Sequence, residues 1–577
     1  MKDFKIEIVQ AIVNIDGIKE AGLNEEDISA LVVKTADSKN GDFAFPCFRL
    51  AKAMRKAPQA IATDFAEEIS ANLATDTSSI DRVEAVNAYV NFFLKRDVFV
   101  SEIISSVQKS AEKYGSSDLG EGKTVIVEFS SPNIAKPFHI GHIRSTVIGN
   151  SIEKIYSFLG YDTVRINHLG DYGTQFGKMI VAYRKWGNEG DVNREPINTL
   201  LAYYTKFHEE VENNPGLEDE AREVFVKLEQ GNEEELKLWQ WFRDVSLGEF
   251  NRVYKLLGIS FDSYAGESFY SDKMARVTDE LKEKGLLKES DGAMIVDLEE
   301  YNMSPALITK KDGSTLYITR DIAAAIYRKE TYDFYKNIYV VASQQNLHFQ
   351  QWFKIVELMG YDWAKDCIHI PFGLVSLSDG TMSTRQGRVV FLQDVLDTAV
   401  AKTKDIISEK MPAVDDVDDL ARQIGIGSVI FNELSNNRIK DYVFSWGAIT
   451  SFEGETGPYA QYAHARAASV LRREEISDDK ELFSYDDYLS SDDAFELAKL
   501  LYEFPGVVAE AGAKYEPSIV TRHVTDMAQS FNRFYHNEHI LVDDEKEKES
   551  KLALLKAFKQ VIKNGLTLLG LETPERM

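Results

Sequence analysis

Ser131-Pro132-Asn133-Ile134-Ala135-Lys136-Pro137-Phe138-His139-Ile140-Gly141-His142 follows the apolar run Val125-Ile126-Val127-Glu128-Phe129 and precedes a helical pattern over residues 143–159. A short, non-alternating run rich in β-branched residues is the pattern of a strand buried on both faces of a parallel sheet. Strand, loop, glycine and helix start in that order make an anion and nucleotide site, because the first N–H groups of a helix lack partners within it. His139 and His142 are three residues apart, so both rings reach one side of the helix start. Gly141 between them leaves room for a flat ring or a ribose to approach the backbone. Two imidazole donors beside free N–H groups suit a phosphoryl group under attack. A zinc centre lacks ligands, since the only two cysteines, Cys47 and Cys367, have no close partners. No metal held by the protein itself is expected.

The chain has 577 residues, which is too long for one core and implies about three to five domains. A hydrophobic content of 44% and a charged content of 28% are those of a soluble globular protein. No uncharged apolar stretch reaches membrane-spanning length, the start Met1-Lys2-Asp3-Phe4-Lys5 lacks the features of a secretory signal, and two cysteines give no disulfide framework. The cysteine usage fits a reducing cytoplasm, and a cytoplasmic protein without a membrane partner is expected. The net charge of -27 repels a polyanion at long range, so nucleic-acid binding would need local basic patches and would be salt-sensitive.

Residues 1 to about 115 read as a separate unit. Ile6, Val9, Ile12 and Val13 predict a helix with an apolar face, 31–34 a short strand, and 41–45 the approach to another helix. Arg49, Lys52, Arg55 and Lys56 make a basic run, open to two readings: a solvated face or contact with an RNA backbone. The polar stretch 106–122 reads as a linker. Residues 163–167 give the next strand of the nucleotide-binding sheet. A helical insertion is expected from about 181 to 304, followed by a hairpin through 307–318 around Asp312-Gly313, and a helix opened by Arg320 and Asp321. The run 337–343 is a core strand ending at Gln344 and Gln345, and 368–375 leads into the polar, glycine-bounded loop 379–388. From about Thr398 the pattern is helical throughout, with 431–440 carrying polar and basic groups at helical spacing.

His139-Ile140-Gly141-His142 resembles the first signature of class I aminoacyl-tRNA synthetases, and residues 128–145 resemble its version in the arginyl-tRNA synthetases. His168-Leu169-Gly170-Asp171-Tyr172-Gly173-Thr174-Gln175-Phe176-Gly177 resembles a second block of that family, and Pro458-Tyr459-Ala460-Gln461-Tyr462-Ala463-His464-Ala465-Arg466 resembles the start of its anticodon-binding helices. The resemblance implies an α/β fold: a Rossmann-like parallel-sheet catalytic domain with a helical insertion, an α+β N-terminal domain and an all-α C-terminal domain. The corresponding boundaries are 1–115 for a domain touching the tRNA elbow, 116–397 for the catalytic domain, 398–445 for a helical connection and 446–577 for the anticodon-binding domain.

Class I synthetases carry a second signature, Lys-Met-Ser-Lys-Ser, where this chain reads Thr381-Met382-Ser383-Thr384-Arg385. Its first lysine is absent. By resemblance Lys136 takes over neutralisation of the leaving pyrophosphate, with Arg385 and Arg388 as the other cationic candidates. Gly141, His139, His142, Met382, Ser383 and Thr384 are the expected nucleotide contacts.

A guanidinium is planar, permanently charged and carries five donors, so its pocket needs carboxylates and neutral acceptors. The positions that match the family's amino acid pocket are Glu128, Asn133, His139, Tyr317, Asp321 and Gln345, with Glu128 and Asp321 expected on the guanidinium. Read from the residues alone, Glu128 also suits an outward-facing strand end or an internal salt bridge, Asp321 a helix cap and Tyr317 the core. The resemblance implies ATP as substrate with Mg2+ accompanying it, arginyl-adenylate as intermediate, and the arginine tRNA and L-arginine as partners of a monomer. Expected tRNA contacts are Tyr459, Gln461, His464, Arg466, Arg49 and Lys52; Tyr459 and His464 equally suit internal packing. Two rivals remain at this stage: a class I synthetase for another amino acid, and a non-catalytic tRNA-binding paralogue.

Overall fold

Val125, Ile126 and Val127 are fully buried, as a strand flanked on both edges and covered on both faces requires. In the computed structural model, which describes residues 3–35, 38–73, 78–136, 138–310, 317–376, 390–410, 416–449, 454–485 and 488–577, they lie in the strand Thr124–Glu128. This strand pairs in parallel with Asp162–Ile166 on one edge and Lys336–Ala342 on the other, and Cys367–Phe372 extends the sheet beyond Lys336–Ala342. Glu128 ends the central strand opposite Ile166 and Tyr339, at the carboxyl edge where such sheets place ligands. The helix Gly141–Phe158 returns across the sheet. It approaches so closely that a Cβ on Gly149 would lie 2.2 Å from the Cβ of Phe129, a contact only glycine permits.

The chain divides into two units. One comprises Gly115–Ala465, Pro505–Thr525 and Lys563–Met577 and holds this sheet. Its insertion is mostly helical, with Thr174–Trp186, Pro196–Asn213, Gly216–Glu229 and Glu233–Leu256 as the long members. It ends in a small antiparallel sheet of Leu287–Ser290, Ala293–Val296 and Ala306–Thr309. Of the expected hairpin over 307–318, residues 311–316 lie outside the described residues; Ala306–Thr309 pairs with Ala293–Val296, and Tyr317 and Ile318 belong to the helix Tyr317–Tyr332, not to a strand. Ile318, Ile322, Ala325 and Ile326 are buried along one side of that helix, the apolar stripe that holds 317–332 helical. Asp321 therefore sits inside the helix and caps nothing. Helix resumes at Leu392, before the expected Thr398, and the helix Val417–Ser435 stops short of Arg438 and Lys440. A short strand, Tyr442–Val443, then pairs in parallel with Val375–Ser376.

The other unit comprises Met1–Tyr114, Arg466–Phe504 and Asp526–Ile562. Its four-stranded antiparallel sheet includes Phe43–Pro46, so residues 41–45 lead into a strand and not a helix; Phe43 and Phe45 turn inward against the Tyr89–Leu94 strand. In the first helix, Phe4–Val13, the buried positions are Phe4, Ile8, Val9 and Ile12, while Ile6 is 58% exposed. The expected linker is shorter than proposed, since Arg96–Ser110 is helical.

One buried guanidinium ties the signature helix to later chain. Arg144 ion-pairs with Glu433 at 2.6 Å, both almost without exposure, and donates to the carbonyls of Gly373 at 2.9 Å, Lys440 at 2.8 Å and Arg438 at 3.2 Å. Arg144→Met leaves Glu433 buried and unpaired, and removal of one partner of such a pair costs about 3–5 kcal/mol. The expected outcome is a clear drop in the urea midpoint, followed by tryptophan fluorescence.

Candidate active site

The two sequence blocks meet. Ile134 N–H donates to Gly170 O at 3.1 Å, Gly170 N–H donates to Pro132 O at 3.1 Å, and a Cβ on Gly170 would lie 2.3 Å from Asn133 Oδ1. The far side of the histidine loop is bridged as well. Ile140 N–H donates to Val390 O and Leu392 N–H to Phe138 O, both at 2.9 Å.

The rings of His139 and His142 stand 3.9 Å apart between centroids. His139 N–H donates to His142 Nδ1, and Gly141 N–H donates to His139 Nδ1, each at 3.1 Å. With both Nδ1 atoms accepting, the proton of each neutral ring is on Nε2. Burial pushes the His139 pKa down to about 4 and the His142 pKa down to about 3. The neighbouring His139 and the positive charge of Lys136 add to the effect on His142. The pair thus consists of neutral N–H donors near neutral pH, with the Lys136 ammonium close by.

Glu128 does not stand free for a ligand. Its side chain is 9% exposed and ion-pairs with Arg328 of the Tyr317–Tyr332 helix at 2.6 Å. A bare carboxylate at that depth is costly, and the protein supplies its own guanidinium. His168 Nδ1 lies 3.5 Å from Arg328, and the guanidinium stands over the Tyr339 ring at 5.5 Å.

Asp321 meets the imidazole of His348 at 2.5 Å, and the Tyr317 ring, 61% exposed, packs edge-on to His348 at 5.5 Å. A second acid, unforeseen from the sequence, belongs to this group. Glu267 opens a short 3-10 turn, Glu267–Lys273, and ion-pairs with Arg320 at 3.1 Å. Burial raises its carboxyl pKa, Arg320 opposes this, and the charges of Asp321 and Asp171 push it further up, so the acids share one electrostatic neighbourhood. Asn133 and Gln345 are exposed. No motif marks Glu267; the one sequence signal is the preceding Gly266, where a Cβ would lie 2.6 Å from both Asp171 Oδ1 and Leu169 O.

Two expected tRNA contacts prove internal. Gln461 and His464 are both fully buried. Gln461 donates to Glu572 O at 2.8 Å, and His464 Nδ1 lies 3.1 Å from Pro574 O, so both side chains hold residues 572–574. Tyr459 is half-buried, and Arg466 donates to Asn532 at 2.7 Å. Arg49 and Lys52 are exposed. Met382, Ser383, Thr384, Arg385 and Arg388 lie outside the described residues.

Comparison with known proteins agrees with this geometry. Residues 103–446 match the family described as tRNA synthetases class I (R), catalytic domain. Residues 3–94 match the arginyl tRNA synthetase N terminal domain, and 460–577 the DALR anticodon binding domain. The chain is 58% identical to an arginine--tRNA ligase of Clostridioides difficile and 55% identical to one of Halothermothrix orenii, each over the whole of both chains. The arginyl-tRNA synthetase structure of Plasmodium falciparum superposes with a TM-score of 0.80 at 25% identity, covering all of both chains. The signature loop, the parallel sheet beneath it and the three matched domains together show that the chain belongs to the class I arginyl-tRNA synthetases.

Proposed function

We propose that the protein joins L-arginine to its tRNA through arginyl-adenylate, with ATP as the energy source. The observation that carries this reading is the pair of Nε2–H imidazoles at a helix start beside the carboxyl edge of a parallel sheet. In the first step the arginine carboxylate attacks the α-phosphorus of ATP in line, and pyrophosphate leaves. His139 and His142 donate to the crowded phosphoryl oxygens, the helix start beyond Gly141 faces adenosine, and Lys136 offsets charge on the leaving group. In the second step the tRNA's terminal adenosine receives the arginyl group. Magnesium belongs with the phosphates of ATP and with water. Among the described residues no three His, Cys, Asp or Glu side chains form a group that could hold a metal ion.

The guanidinium acids in this reading are Asp321 and Glu267, whose side chains are partly exposed, in place of Glu128, which is buried against the fully buried Arg328. Tyr317 lies along the substrate's stem, while Asn133, Gln345 and His139 hold its amino and carboxylate ends. Arg49 and Lys52, exposed in the N-terminal domain, meet tRNA backbone. The loop residues Met382, Ser383, Thr384 and Arg385 keep their proposed place at the phosphates, and the domains keep the boundaries given above. The protein is proposed to act as a cytoplasmic monomer; among the described residues no helix is long and apolar enough to cross a membrane.

Charging of a purified tRNA pool with each labelled amino acid in turn tests the activity: arginine alone is expected to be attached, and attachment of another amino acid or of none refutes it. Lys136→Ala is expected to bind ATP as before but to form adenylate at least about tenfold more slowly, as loss of one charge-stabilising group does. Pre-steady-state pyrophosphate release reads this directly.

The depressed histidine pKa values also affect stability. The unfolded rings protonate near 6.5, whereas the folded ones resist until about 4 and about 3. Between those values the unfolded chain binds more protons, so this contribution to stability is full above pH 6.5 and is lost as pH falls towards the folded values. Urea midpoints at pH 7 and pH 5 are expected to differ less in His142→Gln than in the unaltered protein.

A further inference from the structure

We propose that Asp171 is a positioning residue for arginine selection: its buried carboxylate fixes the turn at residues 264–268 so that the Glu267 carboxylate stands in the pocket with Asp321. The inference rests on the reading of Glu267 as a substrate acid. Asp171 is fully buried and lies in the second family block, on the opposite side of Gly170 from Leu169. Its Oδ1 accepts from Ser268 N–H at 2.8 Å, and its Oδ2 accepts from the Ser268 hydroxyl at 3.0 Å and from Arg243 Nε at 3.1 Å. The same Arg243 donates to Tyr264 O at 3.1 Å, on the other side of Glu267. Glu267 N–H itself donates to Leu169 O at 2.9 Å.

Arg243 occupies only one acceptor position of the Asp171 carboxylate, on Oδ2. Here the remaining acceptor capacity is spent on one residue, the immediate neighbour of Glu267, and the packing that excludes a Cβ at Gly266 presses the turn against Asp171 and Leu169. The block also bounds Glu267 through charge: Tyr172 lies under the Arg320 guanidinium at 4.8 Å, and Arg320 is the ion-pair partner of Glu267. A shift of the turn by a fraction of an ångström moves the acid relative to Asp321, and two acids gripping a planar guanidinium tolerate little misplacement.

The test is steady-state charging by the full chain, with arginine and ATP varied separately, for Asp171→Asn, Ser268→Ala, Glu267→Gln and the double variant Asp171→Asn/Glu267→Gln. Asp171→Asn is expected to raise KM for arginine about tenfold while kcat and KM for ATP stay within about threefold, the signature of lost ground-state positioning. Ser268→Ala, which removes only one of the contacts, is expected to move arginine KM the same way by less, and it serves where Asp171→Asn does not fold. In the Glu267→Gln background, Asp171→Asn is expected to add nothing further, because it acts through Glu267. An equal, multiplicative effect in that background overturns the proposal, as does an unchanged arginine KM in folded Asp171→Asn when Glu267→Gln raises it. An unchanged arginine KM in Glu267→Gln overturns the reading of the pocket first, and the role of Asp171 with it.

Discussion

The turn between the central strand and the signature helix is strained, and the rest of the site depends on its being held. Ser130, Ser131 and Ala135 have φ values of 70°, 47° and 58°, a region that costs a residue with a side chain about 1–3 kcal/mol. Hydrogen bonds from several elements offset that cost. The Ser145 hydroxyl accepts from Ser130 N–H at 2.9 Å and donates to Val340 O at 2.7 Å, so one side chain joins the turn, the helix and the next strand. Tyr254 reaches Ser130 Oγ at 2.8 Å, and the Ser246 hydroxyl accepts from Ala135 N–H at 3.2 Å, both from the insertion. The insertion is therefore part of what shapes the nucleotide loop and not an appendage to it.

What could be read from the sequence followed from local pattern. The central strand, the helix after it and the strand ending at Ala342 all declared themselves through runs of buried aliphatic residues, where hydrophobic pattern and local propensity agree. The misjudged segments are those where two local signals compete. At 317–321 a turn signal and a polar pair suggested hairpin and cap, but the stripe of Ile318, Ile322 and Ala325 had already committed the chain to helix.

The candidate pocket was legible only in part, because ion pairing is a property of distant residues. Glu128 announces itself as a carboxylate in an apolar run, yet its partner Arg328 lies 200 residues on, in a helix whose own pattern gives no hint of it. Glu267 lacks even that signal and becomes visible only once residues 169–171 fold against its turn. Gln461 and His464 show the converse: polar residues in a recognisable motif that face carbonyls at 572 and 574 instead of solvent.

Each acid near the pocket already has an internal partner, the Arg320 guanidinium beside Glu267, the His348 imidazole beside Asp321 and the Arg328 guanidinium beside Glu128. An arriving guanidinium thus meets carboxylates that already have partners and not a bare anionic hole. Selectivity for such a substrate then lies in shape and hydrogen-bond directions more than in bulk attraction.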